Sequence, residues 1–123
     1  MRRWKMMQLI NADFLLTVKN VSEISDKYIN GAGQEQPYKG WSISKFHEIT
    51  PDCKRLFFGK NAIEYGAFYD ANKQLISVIT KNKLKAHDDI PILQFIEIPE
   101  QAKYFRDSDA SSYINQKVFI LTN

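Results

Sequence analysis

Ile63, Tyr65, Ala67 and Tyr69 alternate with Ala62, Glu64, Gly66 and Phe68, and Leu75, Ser77 and Ile79 alternate with Ile76, Val78 and Thr80. Between the two runs lies Asp70-Ala71-Asn72-Lys73. β-branched and aromatic residues at period two around a short turn of Asp and Asn predict a β-hairpin over 62–80. Gly66, inside the first arm, predicts a bulge or a close approach of another backbone. The apolar run Ile90–Ile98 is bounded by Pro99 and too short for a helix. It is expected as a buried strand beside the hairpin in the same sheet. Lys117–Leu121 is apolar and β-branched enough to close the chain as a last strand.

The remaining periodicities read differently. Met6–Ile10 is expected as a short first strand. Phe14, Leu15, Val18, Val21 and Ile24 recur at spacings near three and four, which predicts helix capped by Asn11 or Asp13. Ser22 and Ser25 offer a second cap, so the segment reads as one helix or two. Asn30-Gly31-Ala32-Gly33 ends it, since glycine accepts the left-handed conformation after a helix, and Gln34–Pro37 continues as a polar loop. Ser42 could cap a helical turn through Ile43, Phe46 and Ile49, or Trp41–Ile49 forms a strand. Thr50-Pro51-Asp52 has a capping Thr and a Pro at the first helical position, predicting a short helix over Cys53–Phe58 stopped by Gly59. Leu84–Asp89 reads as loop, and Pro99–Ser112 as a stretch holding a short helix with Ala102, Phe105 and Arg106. The pattern as a whole predicts an α+β fold: one small domain over 1–123 with a mostly antiparallel sheet of about four to five strands. The hairpin at 62–80 is central and N-terminal helices pack on the sheet.

Composition narrows this little. The chain has 123 residues, 44% hydrophobic and 25% charged, as in an ordinary soluble globule. Six Tyr and eight Phe imply a core or interface rich in large rings. The single cysteine, Cys53, excludes an internal disulfide framework and fits a reducing compartment, so a cytoplasmic location is expected. No apolar run approaches the roughly 18 residues of a membrane span, and Met6–Ile10 is too short for a signal-peptide core. The net charge of +3 comes from a basic excess in the first half of the chain. It is too small to argue for nucleic acid by itself.

Candidate chemistry is sparse. Lys81, Lys83 and Lys85 fall on one side of an extended chain, either to bind phosphates or an acidic protein, or to discourage pairing at a sheet edge. His47 and Cys53 are close enough in sequence to pose the question of a thiolate nucleophile, although a packed thiol explains Cys53 equally. His87, Asp88 and Asp89 offer imidazole and carboxylates, but adjacent residues rarely converge on one ion, and no metal or cofactor is expected. Tyr38, Lys39 and Trp41 follow the glycine-containing loop and mix rings with a cation, as at interface hot spots or on base-stacking surfaces.

Tyr65–Asp70 and Gln74–Ile79 resemble the central hairpin of the acyl-CoA N-acyltransferase (GNAT) family, and Leu93–Glu100 is similar to the strand preceding its pyrophosphate loop. The resemblance implies a glycine-containing loop and a helix N-terminus after Pro99, whereas Glu100–Ser112 contains no glycine. It therefore implies at most a degenerate acyltransferase, with Glu64 or Tyr104 as acid or base. The expectation set against it is a non-enzymatic protein-binding protein, an inhibitor or immunity-type blocker of bacterial or phage origin. It would hold another protein, a toxin or enzyme target, through Tyr38, Lys39, Trp41, Lys81, Lys83 and Lys85. Nucleic-acid binding through the lysines and the basic N-terminus is the further alternative.

Overall fold

The computed structural model describes residues 14–59, 65–90 and 92–123. Its strands are β1 (Phe14–Lys19), β2 (Ser22–Ile29), β3 (Glu35–Ser44), β4 (His47–Glu48), β5 (Arg55–Gly59), β6 (Tyr65–Tyr69), β7 (Leu75–Thr80), β8 (Lys85–Ala86), β9 (Leu93–Glu97), β10 (Tyr104–Ala110) and β11 (Val118–Thr122). Short 3-10 turns occupy Lys81–Lys83 and Ile114–Gln116. Most of the described residues are strand, and no described helix reaches seven residues. The α+β expectation is corrected on this finding, and with it the N-terminal helices. None of the described helices is long and apolar enough to cross a membrane.

Two antiparallel sheets run in the orders β1-β11-β5-β9-β8 and β2-β3-β10-β6-β7, with β4 also pairing to β10. We call them the first and second sheet. Their facing sides share one core: Val18, Leu56, Phe58, Phe119 and Leu121 meet Phe68, Ile79 and Phe105. Each sheet also buries side chains on its far face. Phe57, Leu93, Phe95 and Ile120 cluster behind the first, and Ile29, Ile43, Ala67 and Tyr69 behind the second.

Burial on both faces explains two of the segments expected as helix. In β5, Leu56 and Phe58 face the shared core while Phe57 faces away, giving a continuous apolar run without alternation. Thr50-Pro51-Asp52 makes a turn, and Cys53 N–H returns to the Thr50 carbonyl at 3.1 Å. In β10, Phe105 points inward, and Arg106 is also buried, between β4 and β3 on one side and β6 on the other. The helix that the acyltransferase resemblance implies after Pro99 does not form. In β1 and β2, the apparent helical spacing is that of two strands joined at Asn20-Val21, in a stretch whose β-branched Thr17, Val18, Val21 and Ile24 favour extended backbone.

The predicted hairpin is present, but at the edge of the second sheet and not at its centre, which β10 occupies. Tyr65 pairs with Thr80 and Phe68 with Ser77. Its turn is fixed by Asp70 Oδ1, which accepts the N–H groups of Asn72 (2.8 Å) and Gln74 (3.0 Å). A bulge between Phe68 and Tyr69 shifts the register. As a result Ile76 and Ile79 both reach the shared core, while Leu75 and Val78 face the opposite side. Gly66 is a close-approach site: a Cβ there would lie 2.7 Å from the Arg106 carbonyl oxygen. The strand expected beside the hairpin, β9, lies instead in the first sheet between β5 and β8. Met6–Ile10, the caps Asn11 and Asp13, and Ala62–Glu64 lie outside the described residues.

The β2–β3 hairpin bends over the far face of the second sheet. Asp26 (φ 58°) and Gly40 (φ 85°) form the bend, and the Asp26 carboxylate accepts the Gly40 N–H at 3.0 Å. Beyond it, Ile29 N–H donates to Ser108 Oγ at 3.1 Å and Glu35 pairs with Arg106 at 3.1 Å. At the tip, Gly33 (φ 80°) sits so close to Leu75 and Val78 that a Cβ would strike the Leu75 side chain.

Candidate protein-binding surface

That bend builds the surface. Tyr28 on β2, Tyr38 and Trp41 on β3, and Tyr65 on β6 converge on the far face of the second sheet. Tyr28 is the hub: its ring meets those of Tyr38, Trp41 and Tyr65 edge-on, at centroid distances of 5.1, 5.9 and 5.5 Å and interplanar angles of 72–77°. Tyr38 and Trp41 are 5.3 Å apart. Tyr38 is 49% exposed, and Trp41, Tyr28 and Tyr65 are half-buried. Edge-to-face packing fixes the rings against one another at small entropic cost, since each has few rotatable bonds.

A second aromatic group anchors the arm beneath this patch. The Arg106 guanidinium lies 4.2 Å from the centre of the Phe46 ring and 4.9 Å from that of Tyr69. Arg106 donates to Tyr69 Oη through Nε (3.2 Å) and Nη2 (3.0 Å), and Nη2 also donates to Glu35. Burial pushes the Tyr69 phenol up, against the pull of Arg106. Lys73 stands over Phe46 and Tyr104. Tyr104 is thus part of this packing group.

The lysines do not form a row. Lys81 and Lys83 lie in a 3-10 turn that carries the chain from β7, at the edge of the second sheet, to β8, at the edge of the first. Lys83 Nζ donates to the Val78 carbonyl of the edge strand at 3.0 Å, consistent with an edge-protecting role. Lys85 pairs with Phe95 in the first sheet. Of the predicted contact residues the structure brings together Tyr38 and Trp41; Lys39 lies between them in sequence, and Lys81 follows Thr80, the strand partner of Tyr65. Tyr28 and Tyr65 were missed. The signal was available in Asn30–Gly33: read as a hairpin turn, it sets Tyr28 opposite Gln36, two residues from Tyr38.

The other candidates are engaged elsewhere. Cys53 is buried, with its thiol 3.0 Å from Thr50 Oγ1. His47 is buried against Phe105 and Phe119, and its Nε2 lies 2.8 Å from Asn20 Oδ1. Asn20 Nδ2 donates to Asp107, so its oxygen is left to accept and His47 carries its proton on Nε2. Burial, with Lys45 nearby, lowers the imidazole pKa to about 4. His87 Nδ1 accepts the N–H groups of Asp89 and Ile90 and so shapes its own loop. Among the described residues no group of His, Cys, Asp or Glu is placed to hold a metal. A cleft of about 460 Å³ opens at one end of the shared core, lined by Thr50, Cys53, Lys54, Glu97, Glu100 and Lys103 among others. No protein-family model, curated protein or solved structure matches the chain.

Proposed function

We propose that the protein acts by stoichiometric binding of another protein, as an inhibitor or immunity-type partner, through the Tyr28–Tyr38–Trp41–Tyr65 surface. The observation that carries this reading is the ring cluster itself: pre-packed aromatics, partly exposed, on a hairpin pinned by the Glu35–Arg106 pair. Rigid aromatic anchors contribute most where they enter a pocket and are surrounded by a polar rim. The surface is apolar, with exposed Lys39 in the same strand as Tyr38 and Trp41, which suits a partner offering an apolar depression. The rings support a protein partner over single-stranded nucleic acid. A base stacks on an open flat ring face, whereas Tyr28 meets its three neighbouring rings edge-to-face and the cluster forms a packed knob.

The test is affinity capture from the native host with wild type, Tyr38→Ala and Trp41→Ala, followed by titration of the purified partner. A one-to-one complex is expected, weakened about 30-fold or more by Trp41→Ala. Binding equally tight for both variants, or steeply salt-dependent binding to single strands in place of a protein complex, would overturn the reading.

A further inference from the structure

Lys117 is held between two carboxylates where the sheets meet. Its Nζ lies 2.8 Å from Asp107 Oδ2 and 2.8 Å from Asp109 Oδ2, with the Lys117 side chain 8% exposed and that of Asp107 fully buried. Asp107 stands on β10 and Lys117 directly before β11, one strand from each sheet. Two residues away in each segment, Phe105 and Phe119 pack ring to ring at 5.3 Å. Asn20 Nδ2 donates to Asp107 Oδ2 at 3.0 Å, while Asp107 Oδ1 has no hydrogen-bond partner.

From this geometry we propose that Lys117 and Asp107 condense into an intramolecular isopeptide bond, with Asp109 as the proton carrier. The amine begins within contact distance of the carboxyl it would attack, the proximity that makes such a reaction effectively unimolecular. Burial pushes the Asp107 carboxyl up to about 7 against the pull of Lys117, so a neutral acid, the electrophilic form, is available near neutral pH. Asp109 takes a proton from the Lys117 ammonium, and the free Nζ attacks Asp107 Cγ. Asn20 Nδ2–H steadies the charge developing on Oδ2. The bond from Cγ to Oδ1 then breaks, the leaving hydroxyl receives the proton from Asp109, and the nitrogen gives its extra proton back to Asp109. One water leaves, no electrons change hands, and no co-reactant is consumed. The condensation replaces a buried ion pair, costly to desolvate, with a neutral amide.

The experiment is the intact mass of the purified protein, denatured after incubation at neutral pH, with tryptic mapping. The expected mass is one water below that of the sequence. Trypsin should fail to cut after Lys117, leaving a peptide from Asp107 to Asn123 that is also one water lighter. Lys117→Arg should show the full mass, and this readout does not require the variant to fold. An unmodified wild-type mass, or a water loss that persists in Lys117→Arg, would overturn the proposal.

Discussion

Replacing Gly66 by alanine probes a close approach between neighbouring strands. The new Cβ would sit 2.7 Å from the Arg106 carbonyl oxygen, with Ile79 Cδ1 next at 3.5 Å. The obstacle is backbone, and β10 is paired on both sides, so it has little freedom to retreat. Forcing one extra carbon into such a place costs about 1–3 kcal/mol. Against that, removing a glycine from a strand returns about 0.5–1 kcal/mol of backbone entropy. The net expectation is a loss of about 1–2 kcal/mol. Gly59, at the end of β5, is the control: a Cβ there meets nothing within 4 Å. Gly59→Ala should be neutral or stabilising by up to about 1 kcal/mol. Urea unfolding followed by tryptophan fluorescence reads both. With a slope of about 1–2 kcal/mol per molar urea, Gly66→Ala should lower the midpoint by roughly 1 M. Because Gly66 lies between Tyr65 and Ala67 on β6, the same variant should also disturb the ring surface. Wild-type stability for Gly66→Ala, or a greater loss for Gly59→Ala, would refute the reasoning.

Other outcomes follow from the buried polar groups and the rings. His47 is neutral in the fold down to about pH 4 but titrates near 6.5 when unfolded. Its contribution is therefore present above 6.5 and lost as pH falls toward 4, about 3 kcal/mol in all. The stability difference between wild type and His47→Gln, measured by urea titration at each pH, should shrink across that window; a constant difference would contradict the assignment. Arg106→Lys should cost about 1–3 kcal/mol in the same assay, because an ammonium cannot replace the planar fork that bonds Tyr69 and Glu35. Tyr28→Ala removes three edge-to-face contacts and should cost about 1–4 kcal/mol by thermal unfolding, more than loss of the exposed Tyr38 ring. Lys83→Ala should stay within about 0.5 kcal/mol of wild type on thermal unfolding, since its side chain is exposed.

The sequence by itself determined the local elements whose signals are local. Asp70–Lys73 dictated the β6–β7 turn through the Asp70 carboxylate, and alternation dictated its arms. Gly66 announced a close backbone approach, and the β-branched run at the C-terminus announced β11. Two of the strands read as helices, β5 and β10, bury side chains on both faces, as with Leu56, Phe57 and Phe58. They therefore show no period of two, and short apolar runs of this kind fit either element. Tertiary pairing alone selected strand for them, because only inter-strand hydrogen bonds satisfy their backbone while both faces are covered. The division of strands between two sheets was equally invisible, since it depends on the crossing through Lys81–Lys83 from one edge to another. Tyr38 and Trp41 were legible as candidates, but Tyr28 joins them only because the hairpin bends at Asp26 and Gly40 and lies across β10 and β6. Asn20, His47, Asp107 and Lys117 come from four separate stretches of chain, and no spacing in the sequence could place them together. They meet because the two sheets close on one another.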